Sequence, residues 1–181
     1  MRSLEQVRGL RCIERDATGA IVSLTLPEDH ATDSNMVLVS AVHSLQQIKI
    51  YAVAGRATIT DRGISLVTNL THATSLGLTC CGTCGADVWP AACNLRQLRQ
   101  LILNAAPAPE GDYHGLTNLV NLEELVVFSA KTFDDRALRY VTNLMHLRKV
   151  RVADTGVSEQ WTNILKNCRS LTNAGVKLDD S

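Results

Sequence analysis

The pattern apolar-x-x-apolar-x-apolar recurs along the chain as IVSLTL from Ile21, LQQIKI from Leu45, ATSLGL from Ala73, LRQLIL from Leu98, LEELVV from Leu122 and LRKVRV from Leu147. A degraded seventh copy, LTNAGV, begins at Leu171. Successive copies start 24, 28, 25, 24, 25 and 24 residues apart. The last three positions of each copy alternate between two faces, as a strand does, and the remaining length leaves room for one short return helix per repeat.

The return segments carry columns of their own, in phase with the strands. Three residues before each start lie Val42, Leu70, Leu95, Leu119, Leu144 and Cys168; six before lie Val39, Val67, Ala92, Leu116, Val141 and Leu165; nine before lie Met36, Ile64, Trp89, Tyr113, Leu138 and Thr162. Apolar residues every three positions predict a tight, partly 3₁₀-like helix with one stripe against the strands. Twelve before each start stand Asp33, Asp61, Ala86, Glu110, Asp135 and Glu159, an acidic column with one exception. Carboxylates in a first helical turn face its free amides and the positive end of its dipole, and Thr32, Thr60, Asp134 and Ser158 just ahead read as N-caps, so this column is structural.

The period lies within the range of about 20 to 29 residues of leucine-rich repeats. With the segments ATITDRGISLV, KTFDDRALRYV and TGVSEQWTNIL, the chain resembles the leucine-rich-repeat superfamily of intracellular type from Ile21 to about Leu178. The resemblance implies an α/β fold: a right-handed solenoid of about six and a half repeats, with a parallel β-sheet on the concave face and short α or 3₁₀ helices on the convex face. Ahead of it, LRCIERDATGAIVSLTL predicts two strands joined by a turn at Asp16–Gly19, similar to an N-terminal capping hairpin. The expected organisation is a capping segment over 1–20, repeats over 21–178 and an acidic tail over 179–181. No final helix follows Leu171, so an open C-terminal edge is expected, available for self-association or a longer assembly.

Composition refines this picture. Aromatic residues are 4% of 181 and hydrophobic ones 45%, so the core must be aliphatic and thinly layered. Lysine plus arginine equal aspartate plus glutamate at 18 each, which supplies no net field toward nucleic acid or an anionic membrane. The first residues lack the pattern of a secretory signal and no run is long enough to span a bilayer, which predicts a cytoplasmic protein with reduced cysteines.

The pattern Cys80-Cys81-Gly82-Thr83-Cys84, with Cys93 beyond, invites a zinc reading because CxxC is half of a tetrahedral site. The repeat phase opposes it: the residue eight after a start is, in the consensus that the resemblance implies, a small inward residue, and here that is Cys81. His30, His43, His72, His114 and His146 show no metal spacing, and no nucleophile, base and phosphate loop stand at motif distance. No cofactor, no metal and no catalytic residue is expected.

The concave face is where side chains are released from packing. Its expected partner-binding residues are the apolar trio Ile102, Val126 and Phe128 with the charged Glu124, Lys149 and Arg151; Glu123, Arg148 and Lys177 lie close by. An apolar patch rimmed by charge suits a protein partner. The expectation is a non-enzymatic protein–protein interaction module. Its rival is a structural or substrate-receptor subunit, such as those of ubiquitin ligases, making contact through the C-terminal edge.

Overall fold

The computed structural model describes residues 10, 12–82, 84–107, 113–166 and 171. They form one seven-stranded sheet whose spatial order is the chain order: β1 (Ile13–Arg15), β2 (Ile21–Leu26), β3 (Gln47–Val53), β4 (Ser75–Cys81), β5 (Gln100–Asn104), β6 (Glu124–Asp134) and β7 (Lys149–Gly156). Neighbours from β2 to β7 are parallel, and β1 closes the N-terminal end as an antiparallel partner of β2. A repeat cannot bury its apolar face alone, so each strand takes the next in sequence as its neighbour. The seventh copy from Leu171, the acidic tail and the expected open edge fall almost wholly outside the described residues.

The register runs straight through the expected columns. Leu24, Ile48, Leu76, Leu101, Leu125 and Val150 pair in turn, as do Leu26, Ile50, Leu78, Leu103, Val127 and Val152, and all twelve are buried. The helices α1 (Asp33–Ser40), α2 (Asp61–Ser65), α3 (Val88–Cys93), α4 (Asp135–Val141) and α5 (Glu159–Lys166) return the chain, helped by 3₁₀ turns at 66–69 and 114–118. Their buried stripe includes Met36, Ile64, Trp89, Tyr113 and Leu138. In the N-terminal hairpin, Asp16 Oδ1 accepts from the Thr18 amide at 2.8 Å and from the Ala20 amide at 3.1 Å, while Gly19 supplies the positive φ of 84°.

Three of the four expected N-caps close as the pattern requires, Thr32 accepting from the Asn35 amide and Thr60 and Asp134 from the amides of Arg62 and Arg136, while the hydroxyl of the fourth, Ser158, donates to Asp135 Oδ2. The acidic column does more than face the helix dipoles. Asp33 reaches into the following repeat, where Oδ1 accepts the Thr60 amide and Oδ2 the Thr60 hydroxyl, both at 2.8 Å. Asp135 treats Ser158 in the same way, also at 2.8 Å for each bond, and Asp61 accepts the Gly85 amide at 2.6 Å. Each carboxylate therefore ties its own helix start to the segment that leads into the next helix, with charge-assisted bonds. The tie requires a close approach: a Cβ at Gly63 would overlap Asp33 Oδ1, and one at Gly85 would overlap Asp61 Oδ2.

The exception in the column is self-consistent. Where Ala86 supplies no carboxylate, the residue that would face it one repeat on is, by sequence phase, Pro109, which has no amide hydrogen to donate. Aromatic packing bridges this region instead. Trp89 stacks on Phe133 at 5.1 Å and 16°, and Tyr113 meets both rings edge-on, at 6.1 and 5.8 Å. The Tyr113 hydroxyl donates to the Thr132 carbonyl. Three of the chain's seven aromatic residues are thus concentrated beside Ala86, where the acidic column breaks.

Candidate binding surface on the concave sheet

Residues two, four and six positions after each start form three rows across the concave face, because parallel registers place equivalent residues side by side about 4.8 Å apart. The first row is Ser23, Gln47, Ser75, Gln100, Glu124 and Lys149; the second Thr25, Lys49, Gly77, Ile102, Val126 and Arg151; the third includes Tyr51, Thr79, Asn104, Phe128 and Ala153. All six expected contact residues lie on this face, on β5, β6 and β7.

Their availability differs from the expectation. Val126 is only 3% exposed, with the large residues Ile102 and Arg151 paired to it on either side and Glu124 and Phe128 flanking it along β6. Ile102 and Phe128 remain half-buried, and Arg151 is exposed. The apolar trio is therefore two accessible side chains on a filled base. Tyr51, on β3, is 42% exposed, more open than either.

Glu124 and Lys149 are engaged with each other. Ser75 Oγ lies 2.8 Å from Gln100 Oε1, Gln100 Nε2 donates to Glu124 Oε2 at 2.8 Å, and Lys149 Nζ pairs with Glu124 Oε1. This ladder crosses four strands. Burial by itself would raise the Glu124 pKa, but hydrogen bonds from Lys149 and Gln100 and the charges of Lys149 and Arg151 hold the carboxyl below its ordinary value. Beside it, Arg99 pairs with Glu123 at 3.1 Å. Lys177, expected next to Arg151, lies outside the described residues.

The cysteines are explained by phase. Cys80 takes an inward position near the end of β4, in register with buried Ala52; the side chain of Cys81, the residue expected to turn inward, is outside the described residues. In the later repeats Ala105, Ser129 and Asp154 adopt φ near 50°, which delays the inward turn by one residue to Ala106 and Ala130. Cys84 stands fourteen before a start, as do the buried Ala31, Ile59 and Phe133. Cys93 stands five before a start, in a column where Ser40, Thr68, Thr117 and Thr142 each donate to the carbonyl three residues back, at 2.7 to 3.0 Å. Burial pushes the Cys93 thiol up to about 12, away from thiolate chemistry. Among the described residues, no three His, Cys, Asp or Glu side chains converge on a possible metal position.

Two hollows lie where helices return to strands, and sequence spacing did not point to either. One, of about 480 Å³, is lined by Asp16, His43, Ser44, His72, Thr74 and Gln97 among others. The other, of about 230 Å³, has Val120 and Met145 at its edge, 55% and 87% exposed, with His146. Each joins residues from successive loops, which only stacking brings together. No described helix is long and apolar enough to cross a membrane.

No protein-family model matches the chain, and no curated protein matches it. Among solved structures it is similar to an internalin from Listeria monocytogenes, a leucine-rich-repeat protein, at a TM-score of 0.52 and 18% identity, over 92% of this chain and 51% of that one. The chain thus spans about half the length of that structure. The likeness and the parallel sheet together make the fold a leucine-rich-repeat solenoid of α/β class, as the repeat period implied.

Proposed function

We propose that this chain is a non-enzymatic module that binds a partner protein through its concave face, with Ile102, Phe128 and Arg151 as the contacting side chains. The observation that carries the reading is the partial exposure of Ile102 and Phe128 on neighbouring strands, beside an exposed Arg151. Burying half-covered apolar groups removes area from water at about 25 cal/mol per Å², without first having to uncover them. Val126 acts from beneath, holding Ile102 and Phe128 up, while Glu124 and Lys149 set the rim through their mutual pair. The expected contact set is kept, with its six members divided between touching and supporting roles.

The test compares the wild-type chain with the double variant Phe128→Ala/Arg151→Glu as bait in native extract, read by mass spectrometry. The double variant is expected to lose its specific partner by about tenfold or more, the effect of removing one anchor and reversing one rim charge. Its thermal midpoint should fall by less than about 4 °C, because neither side chain belongs to the inward columns. A parallel collapse of binding and folding would defeat the assignment.

A further inference from the structure

The concave face carries an uneven charge for a chain with equal numbers of acidic and basic residues. Its three rows hold Lys49, Lys149 and Arg151 against the single carboxylate of Glu124, which Lys149 and Gln100 already bond. Lys49 and Arg151 are exposed, and neither makes an ion pair among the described residues. Both belong to the middle row, Lys49 on β3 and Arg151 on β7, and Ile102 sits on β5, midway between them. Gly77 on β4 contributes no side chain between Lys49 and Ile102, and the Lys49 stem lies against its place, Cγ standing 3.4 Å from where a Cβ would be.

Resting on the concave-face reading above, we propose that the bound segment is an extended acidic peptide laid across the strands. One carboxylate meets Lys49, a second meets Arg151, and an apolar side chain between them seats on Ile102 against Phe128. Four strand spacings of about 4.8 Å separate the two cations by roughly 19 Å, and a peptide in the extended polyproline II conformation advances about 3.1 Å per residue with three residues per turn, so every third side chain faces the sheet. The carboxylates are then about six residues apart, with the apolar residue about three from each. A nucleic acid fits poorly: its charges fall about every 1.7 Å of duplex and call for a continuous cationic track, whereas here two cations flank an apolar seat.

The experiment titrates the full chain against a fluorescein-labelled heptapeptide with glutamates at its first and seventh positions, leucine at the fourth and serine elsewhere. Two controls are a peptide with the glutamates moved to the third and fifth positions and one with both replaced by glutamine. The first peptide should bind roughly fivefold tighter than either control, an advantage that shrinks as ionic strength rises from about 0.05 to about 0.3 M. Lys49→Glu and Arg151→Glu should each weaken it by about fivefold or more, and Ile102→Asp should remove binding, with unchanged circular dichroism throughout. Equal binding of all three peptides, or indifference to both charge reversals, overturns the acidic occupant. If that happens while Phe128→Ala/Arg151→Glu still releases a protein captured from extract, the concave-face function stands and the peptide chemistry alone has failed.

Discussion

Phe133→Ala is expected to lower the thermal midpoint by about 10 °C, corresponding to about 4 kcal/mol in a chain of this size. The side chain is fully buried, stacks on Trp89 at 5.1 Å and meets Tyr113 edge-on at 5.8 Å. Truncation removes its transfer free energy and leaves a void that two rigid rings cannot collapse into. Position makes it worse: the three rings span successive repeats beside Ala86, which brings no carboxylate to the repeat that follows. In a solenoid the stability is a sum of repeats and their interfaces, so weakening one interface should also broaden or split the unfolding transition. Phe133→Leu, which keeps most of the volume but no ring, should cost about half as much. A shift under about 2 °C for the alanine variant, measured by differential scanning calorimetry, would show that the aromatic group does not bridge the gap.

The second large effect is expected at Gly63. Alanine is normally preferred to glycine inside a helix by about 1 kcal/mol, so Gly63→Ala ought to stabilise α2. The opposite is predicted, a loss of about 3 kcal/mol, because the new methyl would overlap Asp33 Oδ1 and lie 2.9 Å from Ile59 Cγ1. To relieve the overlap Asp33 must swing away and surrender both of its bonds to Thr60, and bonds to a charged group contribute about 1.5 to 3 kcal/mol. Asp33→Ala already lacks those bonds, so adding Gly63→Ala to it should cost less than about 1 kcal/mol more. Urea unfolding of the four proteins in this cycle decides the matter: simple additivity of the two single changes would mean that Gly63 is required for some reason other than the inter-repeat carboxylate.

These two sites differ in how far they could be read in advance. The strand columns were legible because packing imposes one residue type on one phase, and Leu76, Leu101 and Leu125 sit where their spacing put them. The caps at Thr32, Thr60 and Asp134 were legible because the cap chemistry is local, completed within two or three residues. The second bond set of Asp33, Asp61 and Asp135 was not, although the residues themselves formed an obvious column. Its partners lie 23 to 27 positions away, and only the stacking distance brings them within reach. A signal did exist in the glycines at 63 and 85 and in the paired substitution of Ala86 and Pro109, but it reads as a signal only once the ladder is known.

The concave surface shows the same division. Sequence phase alone determined that Ile102, Val126 and Phe128 share a face with Glu124, Lys149 and Arg151, because a strand alternates with period two and parallel repeats keep register. It could not determine exposure. Whether Val126 is open depends on the bulk of neighbours drawn from three different repeats, and the engagement of Lys149 depends on Glu124 being itself held by Gln100. The inward place of Cys80, one position earlier in its repeat than Ala106 and Ala130 in theirs, depends on where the backbone enters the left-handed region, at Ala105, Ser129 and Asp154 but not at Ala52 or Cys80. Local periodicity, then, determined the solenoid and its faces. Contact between sequence-distant repeats decided which of those side chains hold the stack together and which remain for a partner, since burial and hydrogen-bond satisfaction are properties of neighbours in space and not of spacing along the chain.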